Sequence, residues 1–169
     1  MHYINVYLFL KIELIYDKGV HIMILMDIKL HNLYAFKNFH ANFSYPKKIV
    51  NTTIKNEYLK DFTNFRYKKV NILMGANASG KTTFGKAIIA LFNFMQRNNP
   101  SLLISSANIK NEPAKIECDF VEEDQDGKQK LFRLKLRIEN EKDPIIFSSL
   151  NSVEIKKRDN YEICAKKIR

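Results

Sequence analysis

The sequence predicts an α/β fold in which a mixed or antiparallel sheet packs on the helix that follows a glycine-containing loop. Three patterns lead to this prediction. Residues Lys69 to Met74 are mostly apolar and bounded by polar residues and glycine, as expected of a buried strand that delivers the loop. Apolar residues at helical spacing follow from Phe84 to Met95, and alternation of apolar and polar residues starts near Ile116.

Composition bounds the class of protein. A chain of 169 residues, 46% of them apolar, is long enough for one compact domain with a real core. Its net charge of +10 favours a polyanionic partner, although runs of lysine and arginine are more often a solvated face. The two cysteines, Cys118 and Cys164, match no metal or redox spacing, which indicates reduced thiols in a cytoplasmic protein.

Residues 1–25 are predicted to form a peripheral N-terminal extension ahead of a domain that spans residues 26–169. The apolar segment from Tyr3 to Tyr16 is interrupted by Lys11 and Glu13, so no transmembrane helix and no membrane partner are expected. It also lacks the basic start and the cleavage site of a secretory signal. An upstream translation start is the alternative origin of this extension.

The segment that Met26 opens is typical of the first strands of a domain. Ile28 to Leu33 and Tyr34 to Phe43 are both rich in apolar residues, which predicts a strand, a turn and a second strand. The polar stretch from Tyr45 to Arg66 is expected to be an exposed excursion, with a short helix around Asn56 to Thr63.

The long helix is expected to end at Asn98-Asn99-Pro100, and an antiparallel hairpin is expected after it. Its two alternating segments are separated by the turn sequence Asp124-Gln125-Asp126-Gly127. One strand carries acids between its apolar residues and the other carries bases, so cross-strand ion pairs would favour the register. Further strands are expected at Ile145 to Phe147, Ser152 to Lys156 and Tyr161 to Lys166.

The loop between the strand predicted at Lys69 to Met74 and the long helix contains the residues that point to a function. It reads Gly75-Ala76-Asn77-Ala78-Ser79-Gly80-Lys81-Thr82 and fits the pattern GxxxxGK[ST] in full. The glycines let the backbone curl so that its N–H groups converge, and the helix N-terminus adds donors and the positive end of its dipole. A multiply charged phosphate suits such a cradle. The alternative, a structural turn with a surface lysine, is disfavoured by the strand and helix that flank the loop.

Each residue of the loop has an expected role. Lys81 would place its ammonium against the β and γ phosphates, and the Thr82 hydroxyl would ligate a Mg²⁺ ion that bridges them. Thr83 could reach the α phosphate, and the amides from Asn77 to Thr82 would line the cradle. The sequence contains no guanine-reading N/TKxD motif, so ATP is the expected nucleotide.

With these residues, the chain resembles the AAA-type ATPases of the SMC, RecF and OLD-like group, whose heads belong to the ABC ATPase class. The segment from Gly75 to Thr83 matches the P-loop G-x-N-x-S-G-K-[ST] of that group, in which Asn77 and Ser79 are the discriminating positions. Asn32 to Phe36 is similar to the segment N-F-R-x-F that precedes the loop there, with Tyr34 in place of the arginine. The resemblance implies a P-loop NTPase fold, as the N-terminal lobe of an ABC-type ATPase.

In that class, hydrolysis requires an hhhhDE strand, a signature motif from a second head and a switch histidine. The segment from Ile116 to Phe120 contains acids, but it alternates, and nothing resembles the signature motif, so no catalytic residue is identified. The resemblance therefore implies an ATP-binding fragment whose partner is a missing C-terminal ATPase lobe or a second head. It also implies work in DNA repair, DNA maintenance or anti-phage defence, with nucleic acid left open as a further partner.

Two other classes of function stay open. A small P-loop kinase is disfavoured by the antiparallel strands after the helix, because such kinases alternate strands with helices to build a parallel sheet. A non-catalytic nucleotide-binding or regulatory module would keep the pocket without turnover.

Overall fold

A six-stranded antiparallel sheet, with one long helix packed on it, forms the body of the protein. The structure, a computed structural model, describes residues 6–9, 11–16, 19–45, 54–77, 79–109 and 112–168. The strands are β1 (Val6–Phe9), β2 (Lys11–Tyr16), β3 (Gly19–Leu33), β4 (Phe36–Asn42), β5 (Tyr58–Leu59), β6 (Phe62–Arg66), β7 (Val70–Leu73), β8 (Ala114–Glu123), β9 (Gln129–Glu139) and β10 (Ile145–Glu154). The helices are α1 (Lys81–Arg97), α2 (Ser101–Ser106) and α3 (Tyr161–Lys167).

Strand β3 is long enough to pair with three neighbours. The sheet has the order β10-β9-β8-β3-β2, and β4 also pairs with β3. Strand β2 pairs with the first part of β3 and β4 with its last part, while β8 occupies the opposite edge. All described pairings are antiparallel, so the fold is α/β with a mostly antiparallel sheet.

The core lies between α1 and one face of this sheet, which we call the helix face. Helix α1 buries Phe84, Ala87, Ile88, Ala90, Leu91 and Phe92. These side chains form one cluster with buried residues of β3, β8 and β9, including Leu30, Ile116 and Leu136. A fully buried side chain of this size contributes about 1.5–3 kcal/mol, so this contact is a major source of stability.

The opposite face of the sheet, which we call the open face, changes character along the strands. At one end it is apolar, where Ile24, Met26, Val121 and Leu131 pack with residues of α3 and the β5–β6 hairpin. A register shift between Leu25 and Asp27 marks the point at which β3 becomes polar on this face. The bulge therefore separates a covered apolar end from an uncovered polar end.

Two buried carboxylates lie side by side at this boundary. Together with the side chains of His40, Arg133 and Tyr161 that bind them, they form a group that we call the ionic belt. Asp27 and Asp119 are cross-strand partners and are only 5% and 2% exposed. Asp119 accepts hydrogen bonds from Arg133 at 2.8 and 2.7 Å and from the Tyr161 hydroxyl at 2.9 Å. Asp27 accepts one from His40 Nε2 at 2.8 Å. Each acid has its own donors, which lets two like charges be buried together.

The hairpin predicted after the long helix is confirmed. Strands β8 and β9 pair without a break, and the turn between them is closed by the Asp124 side chain, which accepts from the amides of Asp126 and Lys128 at 2.9 Å each. The expected cross-strand ion pairs are present, with Asp119 and Arg133 directly opposite each other. The predicted helix end is confirmed too, because α1 stops at Arg97.

The predicted helix around Asn56 to Thr63 is wrong. Strands β5 and β6 form a short hairpin there instead. Asn56 and Asp61 have φ values of 59° and 69°, a left-handed backbone that a helix interior does not accommodate. Phe65 of β6 is fully buried in the open-face cluster, so tertiary packing favours the strand.

The strand predicted at Tyr161 to Lys166 is also wrong, because this segment forms α3. The Asn160 side chain accepts a hydrogen bond from the Ile163 amide at 2.9 Å and so caps the helix. Lys166 and Lys167 lie in the last turn, where cations complement the helix dipole. The two strand pieces expected earlier, at residues 145–147 and 152–156, fall in one strand, β10, which ends at Glu154.

Strand β7 delivers the loop as predicted, but the prediction that it is buried is wrong. Among the described residues it pairs only with β1, outside the main sheet. Ile72 is 52% exposed and Met74, just after the strand, is 72% exposed. Leu73 packs against the cluster around α1, so in the described part of the chain the strand is covered only in part.

The boundary predicted between residues 25 and 26 falls inside β3, and Met26 is fully buried. Within the N-terminal segment, β1 pairs with β7 and β2 pairs with β3. Residues 1–5, 10, 17 and 18 of the predicted extension lie outside the described residues.

Replacement of Arg133 by Met should destabilise the protein strongly. The substitution leaves the buried Asp119 carboxylate without its bidentate partner, which costs about 3–5 kcal/mol of unfolding free energy. Urea denaturation measures this cost. Arg137→Met is the matched control, since Arg137 is exposed and pairs with Glu139 at the surface, and it should change stability by less than about 1 kcal/mol. Equal stability of the two variants would show that the ionic belt does not stabilise the fold.

Candidate functional site

The loop predicted to bind phosphate lies between the end of β7 and the first turn of α1. Its backbone is folded on itself, since the Ser79 amide donates to the Ala76 carbonyl at 3.3 Å. The helix starts immediately afterwards, because the Phe84 amide donates to the Gly80 carbonyl at 2.8 Å. Ala78, one of the predicted loop residues, lies outside the described residues.

The Lys81 side chain folds back over this loop. Its ammonium donates to the Gly75 and Ala76 carbonyl oxygens at 2.8 Å each and to the Ser79 hydroxyl at 3.1 Å. All three partners are oxygen acceptors that carry no full charge, so they orient the ammonium without neutralising it. A group held in this way can interact with an anion that enters the loop.

The two glycines of the motif lie at close approaches in the loop. A Cβ atom on Gly75 would lie 2.7 Å from the Ser79 hydroxyl oxygen, which is closer than real Cβ contacts. Gly80 has φ of +90°, and a Cβ atom there would approach the Phe36 ring to 3.2 Å. A side chain at Gly80 would be strained by its left-handed backbone, whereas one at Gly75 would displace the Ser79 side chain.

The N-terminus of α1 has electrostatics that suit an anion. Gly80 is the N-cap and provides no side-chain hydrogen bond, and the first turn contains no acidic residue. The first amides of a helix lack partners within the helix, and its dipole places partial positive charge at this end. This helix of 17 residues therefore presents donors and positive potential at the side of the loop that holds Lys81.

The structure brings four of the nine predicted residues together around one ammonium. Gly75, Ala76, Ser79 and Lys81 are joined by the hydrogen bonds of the Lys81 ammonium. Thr82 and Asn77 are exposed, whereas Thr83 is half-buried at the first turn of the helix.

An aromatic support under the loop was not assigned to the site by the sequence. The Phe36 ring lies 4.8 Å from that of Phe39, which lies 4.9 Å from that of Phe84. These three side chains connect β4 to the first turn of α1 and place Phe36 against Gly80. The available signal was the pair Phe36 and Phe39, three residues apart in the strand predicted ahead of the loop.

The acids of the hairpin cannot serve the loop in this fold. Glu117 and Asp119 alternate with Ile116 and Cys118, which belong to the cluster around α1, so they lie on the open face. Glu117 is bound to Lys29 at 2.6 Å, and Asp119 belongs to the ionic belt. Among the described residues, no group of three or more His, Cys, Asp or Glu side chains could hold a metal ion.

The two thiols provide no nucleophile at neutral pH. Cys118 and Cys164 are buried and form no disulfide. Burial raises the pKa of the Cys118 thiol well above its usual value, and it raises the pKa of Cys164 to about 12, with the Asp159 charge adding to the effect. Both groups remain protonated, which fits a structural role.

The open face carries a second feature, a row of three bases on adjacent strands. His31, Lys115 and Arg137 are successive cross-strand partners on β3, β8 and β9, and we call them the cation row. They line a groove of about 740 Å³, together with the exposed ring of Phe147, the cross-strand partner of Arg137. Like charges placed directly opposite each other destabilise a sheet, so an anion bound over the row would stabilise it.

His31 adds to this charge because both of its ring nitrogens face oxygen acceptors. Nδ1 lies 2.8 Å from Asn38 Oδ1, and Nε2 lies 2.9 Å from Glu112 Oε2. These contacts raise the pKa of His31, since the doubly protonated ring donates to both. Glu139 pairs with Arg137 at the other end, and no carboxylate of the described residues pairs with Lys115.

No protein-family model, no curated protein and no solved structure matches this chain. In the part of the chain that is described, no helix has the length and apolar character needed to cross a membrane.

Replacement of Gly80 by Ala should destabilise the loop. The new side chain must adopt φ of +90° and press against Phe36, which we expect to cost about 1–2 kcal/mol of unfolding free energy. Gly85→Ala, the same change one turn later, meets nothing within 4 Å and should stabilise α1 by about 0.5–1 kcal/mol. Thermal and urea unfolding of both variants measure this difference. A stabilising Gly80→Ala would contradict the left-handed geometry at that residue.

Proposed function

We propose that this protein binds Mg-ATP through the loop from Gly75 to Thr83, as the N-terminal lobe of an ABC-class ATPase of the SMC, RecF and OLD-like group. One observation carries the proposal: the Lys81 ammonium is oriented by loop carbonyls at the start of a helix that has no side-chain cap. The motif, the cation and the helix terminus all favour one ligand chemistry, a polyphosphate.

The loop residues have distinct tasks in this proposal. Lys81 exchanges its carbonyl partners for phosphate oxygens, which are stronger acceptors because they are charged. The hydroxyl of Thr82 is the metal ligand, and Thr83 and the loop amides hold the remaining phosphate oxygens. Bound Mg²⁺ neutralises part of the phosphate charge. The phosphate contacts do not read the base, and the lack of a guanine-reading motif in the sequence favours ATP.

Hydrolysis in this proposal requires carboxylates from a further lobe or a second head. Glu117 and Asp119 are engaged on the far face of the sheet, which leaves them unsuited to activate water at the loop. Exposed apolar side chains on both sides of the loop support contact with a further lobe or a second head. They are Ile72 in β7, Met74 just after it and Ile89 on α1. A small kinase and a non-catalytic module are distinguished by their products, since only the kinase transfers phosphate to an acceptor.

Replacement of Lys81 by Ala should weaken Mg-ATP binding at least about tenfold, because a charge-assisted contact of this kind contributes about 1.5–3 kcal/mol. Isothermal titration calorimetry of the wild-type chain and the variant measures the change. Lys86→Ala is the matched control, since Lys86 is an exposed lysine on the same helix. The proposal fails if wild-type protein does not bind Mg-ATP, or if both variants bind it as tightly as the wild type.

A second candidate function, contact with nucleic acid, is favoured by the cation row. Three basic side chains in cross-strand register offer contacts for phosphates, and the exposed Phe147 ring beside them offers a surface on which nucleobases can stack. Such a contact suits a role in DNA repair, DNA maintenance or anti-phage defence. It uses the open face and is therefore separate from the nucleotide loop.

Reversal of charge at Lys115 tests this contact. Lys115→Glu should weaken binding of a fluorescent single-stranded oligonucleotide by about tenfold or more at low salt, and anisotropy titrations measure it. Lys86→Glu makes the same change in net charge on α1, across the sheet, and should have a much smaller effect. Binding should also weaken as the pH rises through the raised pKa of His31, because the row then loses a cation. If both variants lost the same oligonucleotide affinity, the loss would follow from net charge and not from the cation row.

A further inference from the structure

Two imidazole rings lie close together on the open face, His31 on β3 and His40 on β4. The residues that precede them, Leu30 and Phe39, pack in the cluster around α1, so alternation along the strands directs both rings to the open face. Asn38 is the cross-strand partner of His31, and His40 lies two residues further along β4. Such diagonal neighbours lie about 7–8 Å apart, which leaves room for one phosphate group between the rings. Both histidines line the groove that contains the cation row.

Asp27 fixes the orientation and the tautomer of the His40 ring. Its buried carboxylate accepts a hydrogen bond from His40 Nε2 at 2.8 Å, so the neutral ring carries its proton on that nitrogen. Nδ1 then carries a lone pair and has no hydrogen-bond partner among the described residues. A carboxylate on one nitrogen also stabilises the imidazolium that forms when the other nitrogen takes a proton. His40 is therefore arranged as a general base.

His31 has the opposite arrangement, because Asn38 and Glu112 offer acceptors to both of its nitrogens and raise its pKa. The protonated ring is the form that donates to both. The Glu112 side chain that binds Nε2 is 62% exposed, so a phosphate oxygen can take its place without opening the interior. Lys115, the cross-strand partner of His31, is placed to bind the same phosphate. His31 is therefore arranged as a general acid beside a cation.

We propose that the open face cleaves RNA, with His40 as the general base and His31 as the general acid. The inference rests on the proposed contact of this face with nucleic acid. His40 Nδ1 takes the proton of a 2′-hydroxyl, and the 2′-oxygen forms a bond to the adjacent phosphorus. The bond between that phosphorus and the 5′-oxygen breaks, and His31 gives its Nε2 proton to the departing oxygen. The products are a 2′,3′-cyclic phosphate and a free 5′-hydroxyl.

The groove supplies the rest of what this reaction requires. Lys115 stabilises the negative charge that develops on the non-bridging phosphate oxygens in the transition state. The two imidazole rings perform both proton transfers, so the step consumes no metal ion, oxidant or reductant. The cation row and the Phe147 ring hold RNA and DNA alike, whereas only RNA has the 2′-hydroxyl that reacts.

Two labelled oligonucleotides of matching sequence, one RNA and one DNA, test the reaction. We expect the full chain to bind both and to cleave only the RNA, in a buffer that contains EDTA. Gel electrophoresis and mass spectrometry identify the cyclic phosphate and the 5′-hydroxyl ends. If the DNA is bound and the RNA stays intact, the contact with nucleic acid stands and the cleavage is refuted. If neither oligonucleotide is bound, both proposals fail.

Replacement of each histidine by glutamine locates the reaction. His40→Gln and His31→Gln should each lower the single-turnover cleavage rate by at least about 100-fold, the usual contribution of a general base or acid. Oligonucleotide binding by His40→Gln should change little. Lys86→Ala, an exposed position on α1 across the sheet, should cleave as the wild type does. Cleavage that persists in both histidine variants after the same purification would show that these rings do not act.

The pH profile of cleavage separates a chemical role from a structural one. The rate should pass through a maximum, because His40 must be neutral and His31 protonated. Charged side chains face these rings from the adjacent elements: Asp27, Lys29, Glu112 and Lys115. The raised pKa of His31 places the fall in rate above the ordinary histidine value of about 6.5. The residual activity of His31→Gln should lack this fall, and a profile of unchanged shape would refute the role of His31 as the acid.

Discussion

The burial of α1 against the helix face is the contact on which the candidate site depends. Phe84 is almost fully buried in the first turn of the helix, and its ring continues through Phe39 to Phe36, whose ring lies against Gly80. The position of the loop is therefore set by packed aromatic side chains on the sheet. Lys81 follows Gly80 directly, so the same packing fixes the origin of the side chain that closes the loop.

One bulge organises the rest of the molecule. The register shift between Leu25 and Asp27 lets β3 present apolar residues to the helix face from Met23 to Leu33, while its other face changes from the apolar Met26 to the acidic Asp27. The apolar end of that face needs α3 and the β5–β6 hairpin as cover, and the polar end remains open. Between the two ends, Arg133 and Tyr161 donate hydrogen bonds to Asp119. The boundary is therefore stabilised by a buried ion pair and hydrogen bonds, where the rest of the interior is stabilised by apolar contacts.

Local patterns in the sequence predicted the elements that local forces determine. The loop motif, the helix end before Pro100 and the turn at Asp124 each depend on residues within a few positions of each other, and the hairpin follows from alternation. The errors fall where distant residues decide. The apolar residues of Tyr161 to Lys166 suit a strand or a helix, and packing in the open-face cluster, added to the local Asn160 cap, favours the helix. Likewise, the apolar composition of β7 does not reveal which strands pair with it, because pairing depends on residues far away in sequence.

The geometry of Lys81 shows how the loop is stabilised by hydrogen bonds within itself. An unpaired ammonium would repel the positive end of α1, and three neutral oxygens from Gly75, Ala76 and Ser79 offset that repulsion. Neutral acceptors bind a cation less strongly than charged phosphate oxygens do. A polyphosphate could therefore replace them at little cost and bring negative charge to the helix terminus. In the proposed function these contacts favour an anion as the ligand, because a neutral ligand would gain nothing from displacing them.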